Sequence, residues 1–312
     1  MSMKRLSCKK ISQIYKKMSS WKKLLILLFF LFVIVQLVKS VKPHQENFSI
    51  SHKKFETNHN DSLYDDFYAN IYDKLFMNEK KAEMKLILNS IKPKNSSSFL
   101  DIGCGTGNSS NVLYKNGYKV MGVDKSEAMI EKAKSKYPGI KFKQGDVMKS
   151  LLFTPNKFDN ILCIYFTIYY IDNKRLFFDN CYNWLRPGGT LVIHLVNRDD
   201  FDPIIPASDP LFLVSPQKFA KKRINKSVIK FNDFQYKAEF KLNKSNNKST
   251  FEETFMFDKD GHVRKNIHTL HMETQQKILS YAKQQGFKMK GKINLNIIQY
   301  NYQYLYILQK PK

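Results

Sequence analysis

Three glycines at alternate positions close the stretch Phe99 to Gly107, and they constrain this 312-residue chain more than any other feature. Phe99, Leu100 and Ile102 around Asp101 read as a short buried strand, which Gly103, Gly105 and Gly107 prevent from continuing. The chain must turn there, and without Cβ atoms its backbone can take positive φ and lie close to a ligand. Asn108 to Asn116 reads as a helix whose free N–H groups face the same spot, a geometry suited to a nucleotide-like molecule. A dinucleotide-binding loop is the first rival, but it would carry its third glycine at the sixth position, which here is Asn108.

Further acids follow in order. The apolar-rich stretch Tyr118 to Val123 ends in Asp124, 17 residues beyond Gly107, where a carboxylate can accept hydrogen bonds from both hydroxyls of a ribose. Ile140 to Lys143 reads as a brief third strand before Gly145-Asp146-Val147. Phe158-Asp159 opens a continuous apolar strand to Phe166, and Leu185-Arg186-Pro187-Gly188-Gly189-Thr190 precedes a fifth, Thr190 to Val196.

With these markers the chain resembles the class I S-adenosylmethionine-dependent methyltransferases of the small-molecule type, well over 99–196 and loosely over 63–309. The resemblance implies an α/β fold: a Rossmann-like, seven-stranded, mostly parallel sheet with helices on both faces, and an antiparallel β insertion after the fifth strand. It implies S-adenosyl-L-methionine as cofactor, contacted by Asp101, Gly103, Cys104, Gly105 and Gly107 at the loop. Asp124 and Lys125 would serve the ribose, Met129, Asp146 and Val147 the adenine, and Cys163 and Tyr72 the remainder. Tyr64, Tyr68 and Tyr72 fall at i, i+4 and i+8 on an expected helix running to about Ile91. They share one face, which lies over the cofactor or simply packs on the sheet.

Composition narrows the partners. A net charge of +25 invites a nucleic-acid reading, but Lys far outnumbers Arg, so excess Lys on solvated faces explains the charge equally well. The chain also lacks the Asp/Asn-Pro-Pro-Tyr/Phe tetrapeptide of amino-methylating nucleic-acid enzymes, which counts against nucleic acid and leaves a small-molecule substrate. Cys8, Cys104, Cys163 and Cys181 show no CxxC spacing, so reduced thiols are expected, and no His and carboxylate spacing suggests a metal.

The first 62 residues read separately. Residues 1–23 form a tail with eight basic side chains and no acid, and 24–41 is an apolar run equal to about 27 Å of helix, expected as a single transmembrane anchor. A cleaved signal peptide is the alternative. The basic bias places the N-terminus in the cytosol and the catalytic part across the membrane, where cofactor made in the cytosol is scarce, so the orientation stays open. Residues 42–62 read as a flexible polar stem, and 63–312 as the methyltransferase domain: a cofactor half at 63–196, an insertion at about 197–270, and a closing helix and hairpin at 271–312.

Substrate-side candidates come from two places. The aromatic rim after the fourth strand offers Tyr165 and Tyr169. Late in the insertion, whose alternating strands are expected over 228–234, 235–242 and 250–257, His262, Arg264, His268 and His271 cluster, with His268 and His271 the leading bases. Lys218, Lys221, Lys222, Arg223, Lys226 and Lys230 form a basic run that reads as a solvated edge or as a contact for anionic headgroups. His194, inside the fifth strand, reads as a core histidine. The enzyme readings are methyl transfer to N or O of a sugar, amine or lipid headgroup, or to a protein side chain; a non-catalytic cofactor-binding scaffold is the reading from another class.

Overall fold

A computed structural model describes residues 18–40, 55–76, 80–203, 220 and 222–312, with backbone alone for 30, 34–40, 80 and 81. Most of the basic tail, His44 and His52 of the stem, and Lys218 and Lys221 lie outside the described residues. The chain divides into two compact units, 1–51 and 52–312.

In the first unit the described residues form one helix, α1 (Ser20–Ser40), on which Leu25, Leu28, Phe29 and Phe32 are exposed. Among the described residues no helix is long and apolar enough to cross a membrane, which corrects the transmembrane expectation for 24–41. Lys22, Lys23, Gln36 and Lys39 all fall within α1. The uninterrupted apolar stretch from Leu24 to Val35 is therefore about 18 Å of helix, against a hydrocarbon core of about 30 Å.

The second unit carries two sheets. Its elements run β1 (Phe55–His59), α2 (Asp66–Phe76), α3 (Lys80–Ile91), β2 (Ser98–Ile102), α4 (Asn108–Lys115), β3 (Lys119–Asp124), α5 (Glu127–Lys136) and β4 (Lys141–Gln144). They continue with β5 (Phe158–Cys163), the short α6 (Thr167–Tyr170), α7 (Lys174–Trp184), β6 (Leu185–Val196), β7 (Lys226–Lys230), β8 (Phe234–Asn243), β9 (Lys248–Phe257) and β10 (Val263–His271). Then α8 (Gln275–Gln285), β11 (Lys288–Asn294) and β12 (Gln303–Gln309) close the chain.

The seven-stranded sheet has the order β11-β12-β6-β5-β2-β3-β4, with β6, β5, β2, β3 and β4 parallel and the closing hairpin antiparallel. Strand order reverses around β2, and ligands of open α/β sheets sit beyond the carboxyl end of that strand. The glycine loop begins there. Both faces are covered, as the apolar run of β5 requires: Trp184, Phe177, Phe178 and Phe153 pack on one side, and Met84, Ile87, Leu113 and Leu305 on the other. Caps fall where the sequence places them. Ser126 Oγ accepts from Met129 N at 3.1 Å, Thr274 accepts from Lys277 N, and Gly286 ends α8 in the left-handed region at φ 105°.

Several boundaries differ from expectation. The helix expected to run from the tyrosines to Ile91 is two helices, and Tyr64 precedes them in the turn after the 3-10 helix Asn60–Leu63. Pro187-Gly188-Gly189 does not separate helix from strand, because β6 already starts at Leu185 and absorbs the bend as a register shift against β5. Part of the expected flexible stem is ordered: β1 adds a parallel edge strand to β10, and Asn60 Oδ1 accepts from Thr269 N at 2.9 Å.

The insertion supplies four antiparallel strands of a five-stranded sheet of order β1-β10-β9-β8-β7, whose parallel edge strand β1 comes from the stem. Its fourth antiparallel strand, β10, was read only as a histidine cluster. Arg264, Asn266, His268 and Leu270 alternate inward on it, so polar residues occupy the buried face and erase the apolar alternation that marks a strand.

Candidate functional site

The loop after β2 is pinned from behind. Gly103 N and Cys104 N both donate to Val123 O, at 2.8 and 3.1 Å, and the three glycines take φ of 67°, 52° and 82°. They are not equivalent. A Cβ on Gly103 would lie 2.6 Å from the Thr167 side chain and one on Gly107 2.7 Å from Phe142, so both are required by packing. At Gly105 the only neighbour within 4 Å is Tyr72 Cε1, at 3.7 Å. Gly105 is thus the position where open space, rather than protein, would meet a side chain.

Asp124 accepts from Gly105 N and from Ser126 N, each at 2.9 Å, leaving lone pairs on both carboxylate oxygens. Burial raises its carboxyl above the usual range, against these backbone hydrogen bonds. A diol offering two hydroxyl donors fits this acceptor. Asp124→Ala should weaken S-adenosylmethionine binding about 10- to 100-fold, as the loss of hydrogen bonds to a charged group worth about 1.5–3 kcal/mol implies; equilibrium dialysis reads it.

The neighbouring residues divide by task. Asp101 is buried and accepts from Ser110 Oγ at 2.7 Å, tying β2 to α4. Lys125 Nζ lies 2.5 Å from Asp61 and 3.7 Å from Asp146; the Asp61 carboxylate raises the lysine further. Asp146 Oδ1 accepts from Met148 N, and Val147 O accepts from Asn180 Nδ2. Met129 is buried on α5. Cys104, Cys163 and Cys181 are free and buried, and burial pushes their thiols up.

A polar clamp holds α2 over the loop. Asp73 Oδ1 accepts from Thr106 Oγ1 and Asn108 Nδ2, both at 2.7 Å, and Asp73 Oδ2 pairs with Lys136 Nζ at 2.5 Å. Burial alone would raise the Asp73 carboxyl, but these hydrogen bonds outweigh it and hold it below the usual range. The clamp fixes Tyr72 beside Gly105.

From Tyr72 an aromatic row leads away from the loop. Tyr72 and Tyr68 ring centroids are 6.0 Å apart, Tyr68 and Tyr64 5.4 Å, Tyr64 and Tyr170 5.9 Å, and Tyr170 and His268 5.9 Å. The row ends under the insertion sheet, where His268 Nδ1 is 2.7 Å from Tyr170 Oη and Nε2 is 2.7 Å from Glu253 Oε2. Tyr236 Oη donates to Glu253 Oε1 at 2.8 Å.

The other candidates lie elsewhere. Tyr169 is buried, and its hydroxyl accepts from Val196 N at 2.8 Å, so it packs the sheet and is not part of the row. Tyr165, at φ 57°, packs with Met84 and Leu113 on the sheet face covered by α3 and α4, its ring 6.5 Å from His194. His271 is three residues from His268, which on a strand turns it to the opposite face, and there it meets Asp172 at 3.1 Å. Arg264 is consumed by structure: it bonds Asp65 through two nitrogens, Leu63 O and Asn266, reaches Glu56 at 3.2 Å and stacks on Phe67. His262 sits 3.8 Å from Glu56. Burial drops His194 to about 4, as a core histidine requires.

Glu253 and Tyr236 escaped the sequence reading. The signal for Glu253 was present: between Phe251 and Phe255 an acid occupies an apolar position of a period-2 pattern, and a carboxylate buried there needs partners.

Comparisons with known proteins agree with this geometry. Residues 99–189 match the methyltransferase domain family. The ubiquinone biosynthesis O-methyltransferase of Coxiella burnetii (strain Dugway 5J108-111) is 35% identical over 104 residues, 32% of this chain and 44% of that protein. The chain spans less than half the length of the curated relatives it matches. Among solved structures, an S-adenosylmethionine-dependent methyltransferase from Clostridium acetobutylicum ATCC 824 superposes with TM-score 0.60 at 18% identity, over 79% of this chain and 98% of that one. CalS10, an amino pentose methyltransferase from Micromonospora echinaspora, superposes with TM-score 0.56 at 16% identity, over 86% of this chain and 100% of that one. Residues 99–189 are therefore similar to the methyltransferase domain family, within an α/β fold shared with S-adenosylmethionine-dependent methyltransferases.

Proposed function

We propose that the protein transfers the methyl group of S-adenosylmethionine, by in-line displacement, to a nucleophilic nitrogen or oxygen of a small molecule such as a sugar, an amine or a lipid headgroup. One observation carries this reading: the aromatic row from Tyr72 beside Gly105 to His268 beneath the insertion sheet, which joins the glycine loop to the buried His268–Glu253 pair. The fold of an amino pentose methyltransferase supports the same choice.

The sulfonium methyl is electrophilic when the cofactor is bound. The residues of this chain then have three tasks. Asp124 and the glycine loop orient the donor, the tyrosines exclude water, and the insertion sheet closes the acceptor side, so that proximity supplies several kcal/mol of the barrier. Incubating the full chain with tritiated S-adenosylmethionine and separated lipid, glycan, small-molecule and protein extracts should place label in a non-protein fraction. Label confined to protein would overturn the reading.

Attachment to a membrane through residues 24–41 belongs to the same proposal, with the basic tail on the anionic cytosolic face. The support is the set of exposed apolar side chains on α1 beside Lys22 and Lys23. Flotation with vesicles containing anionic lipid should carry the full chain upward and leave behind a variant lacking 24–41. Equal failure of both to float would remove this part.

A further inference from the structure

The hydrogen-bond directions around His268 follow from its partners. Glu253, fully buried, is a carboxylate that already accepts from Tyr236 Oη, so His268 Nε2 carries a proton and donates to Glu253 Oε2. Nδ1 is left without a proton and accepts from Tyr170 Oη. Tyr64 lies edge-on to Tyr170, with ring centroids 5.9 Å apart. The inner members, His268, Glu253 and Tyr236, are all buried, whereas Tyr170 and Tyr64 are only partly so.

From this one-way array we infer that Tyr170, His268 and Glu253 form a proton relay, which takes a proton from a protonated amine acceptor held beside Tyr170 before methyl transfer. The inference rests on the methyl-transfer reading above. The acceptor N–H bond breaks as an O–H bond forms at Tyr170 Oη, and the Tyr170 proton moves to His268 Nδ1. The imidazolium so formed is neutralised by Glu253, and the free amine lone pair attacks the methyl carbon while the carbon–sulfur bond breaks. The proton leaves to water after product release.

Three features favour an amine over a hydroxyl. The row is built of four tyrosine rings, and aromatic rings attract cations. A buried carboxylate stands behind them. A histidine–carboxylate pair also matches an ammonium in acidity far better than an alcohol. The groups facing His268 are Glu253 and Phe251 from β9, Tyr236 from β8, Tyr68 from α2, Tyr64 before it, and Tyr170 from α6. None is a cation that would oppose the imidazolium.

The experiment measures tritiated-methyl transfer by the full chain to D-glucosamine and ethanolamine, from pH 6 to 10, for wild type, His268→Gln and Tyr170→Phe. At pH 7 each variant should lose about 100-fold in kcat/KM with ethanolamine, and less with D-glucosamine, whose ammonium is the more acidic. The loss should shrink to within about threefold above the pKa of the amine, where the acceptor arrives already deprotonated. S-adenosylmethionine affinity should stay unchanged. A loss of equal size at every pH would mean a structural role and overturn the relay, as would no loss at pH 7. If label enters hydroxyl compounds and neither amine, the amine class is overturned while methyl transfer stands; if label enters nothing, methyl transfer itself fails. Independently of substrate, 15N-histidine NMR should show His268 protonated at Nε2 and bare at Nδ1; the opposite tautomer contradicts the relay.

Discussion

Gly105→Val is expected to lower S-adenosylmethionine affinity by at least about 100-fold while the chain stays folded, and Gly103→Val is expected to do the reverse damage, to the fold. Both glycines have positive φ, and forcing an L side chain there costs about 1–2 kcal/mol at either site. What separates them is the surroundings. A Cβ on Gly103 would press on Thr167 at 2.6 Å, and the β-branched, stiff threonine has nowhere to turn. At Gly105 the nearest atom is 3.7 Å away on Tyr72, so valine methyls would occupy ligand space beside Asp124 instead of colliding with the core. Thermal melting with and without the cofactor separates the two. Gly105→Val should melt near wild type and lose its cofactor-induced shift, and Gly103→Val should melt far lower in either condition. The opposite ranking would mean that the loop grips through Gly103, contrary to this account.

Arg264→Ala should destabilise the second unit by about 3 kcal/mol. The guanidinium is buried and bonds both oxygens of Asp65 at 2.7 and 3.0 Å, Leu63 O at 3.1 Å and Asn266 Oδ1 at 3.0 Å, with its face on Phe67. Truncation leaves several acceptors without their donor at a buried position. Because Asp65 is 43% exposed and can rehydrate, the cost falls at the lower end of what breaking a buried ion pair brings. The same residues connect β10 to the turn carrying Tyr64, so the variant should also loosen the tyrosine row. Urea denaturation reads the first effect. A change under about 0.5 kcal/mol, typical of a surface ion pair, would show that Arg264 does not hold the insertion to the core.

How much of this was written legibly in the chain depends on which atoms do the work. The proposed cofactor side uses backbone turns and single acids at strand ends, so Gly103, Gly105, Gly107, Asp124 and Asp146 stand out by type and spacing alone. The proposed acceptor side is assembled from strands whose buried faces are polar. On β10 the inward residues Arg264, Asn266 and His268 look like a surface cluster until β9 supplies Glu253 opposite them, and the pairing spans residues that no local pattern connects. β1 was hidden for a similar reason, since every residue after Phe55 up to His59 is polar, and the strand gains its place through β10 and the Glu56–Arg264 pair. Sequence spacing grouped His262, His268 and His271 together, but strand alternation separates them, sending His271 to the face away from the tyrosines.

The central claim is that a side-chain-free loop at the carboxyl end of β2, with Asp124 beside it, grips the adenosyl sulfonium. Isothermal titration of the full chain, in mild detergent, against S-adenosylmethionine tests it most directly. One saturable site that Gly105→Val abolishes is the predicted result. A folded protein that gives no binding heat at several temperatures and protects no loop amides at millimolar cofactor would contradict it.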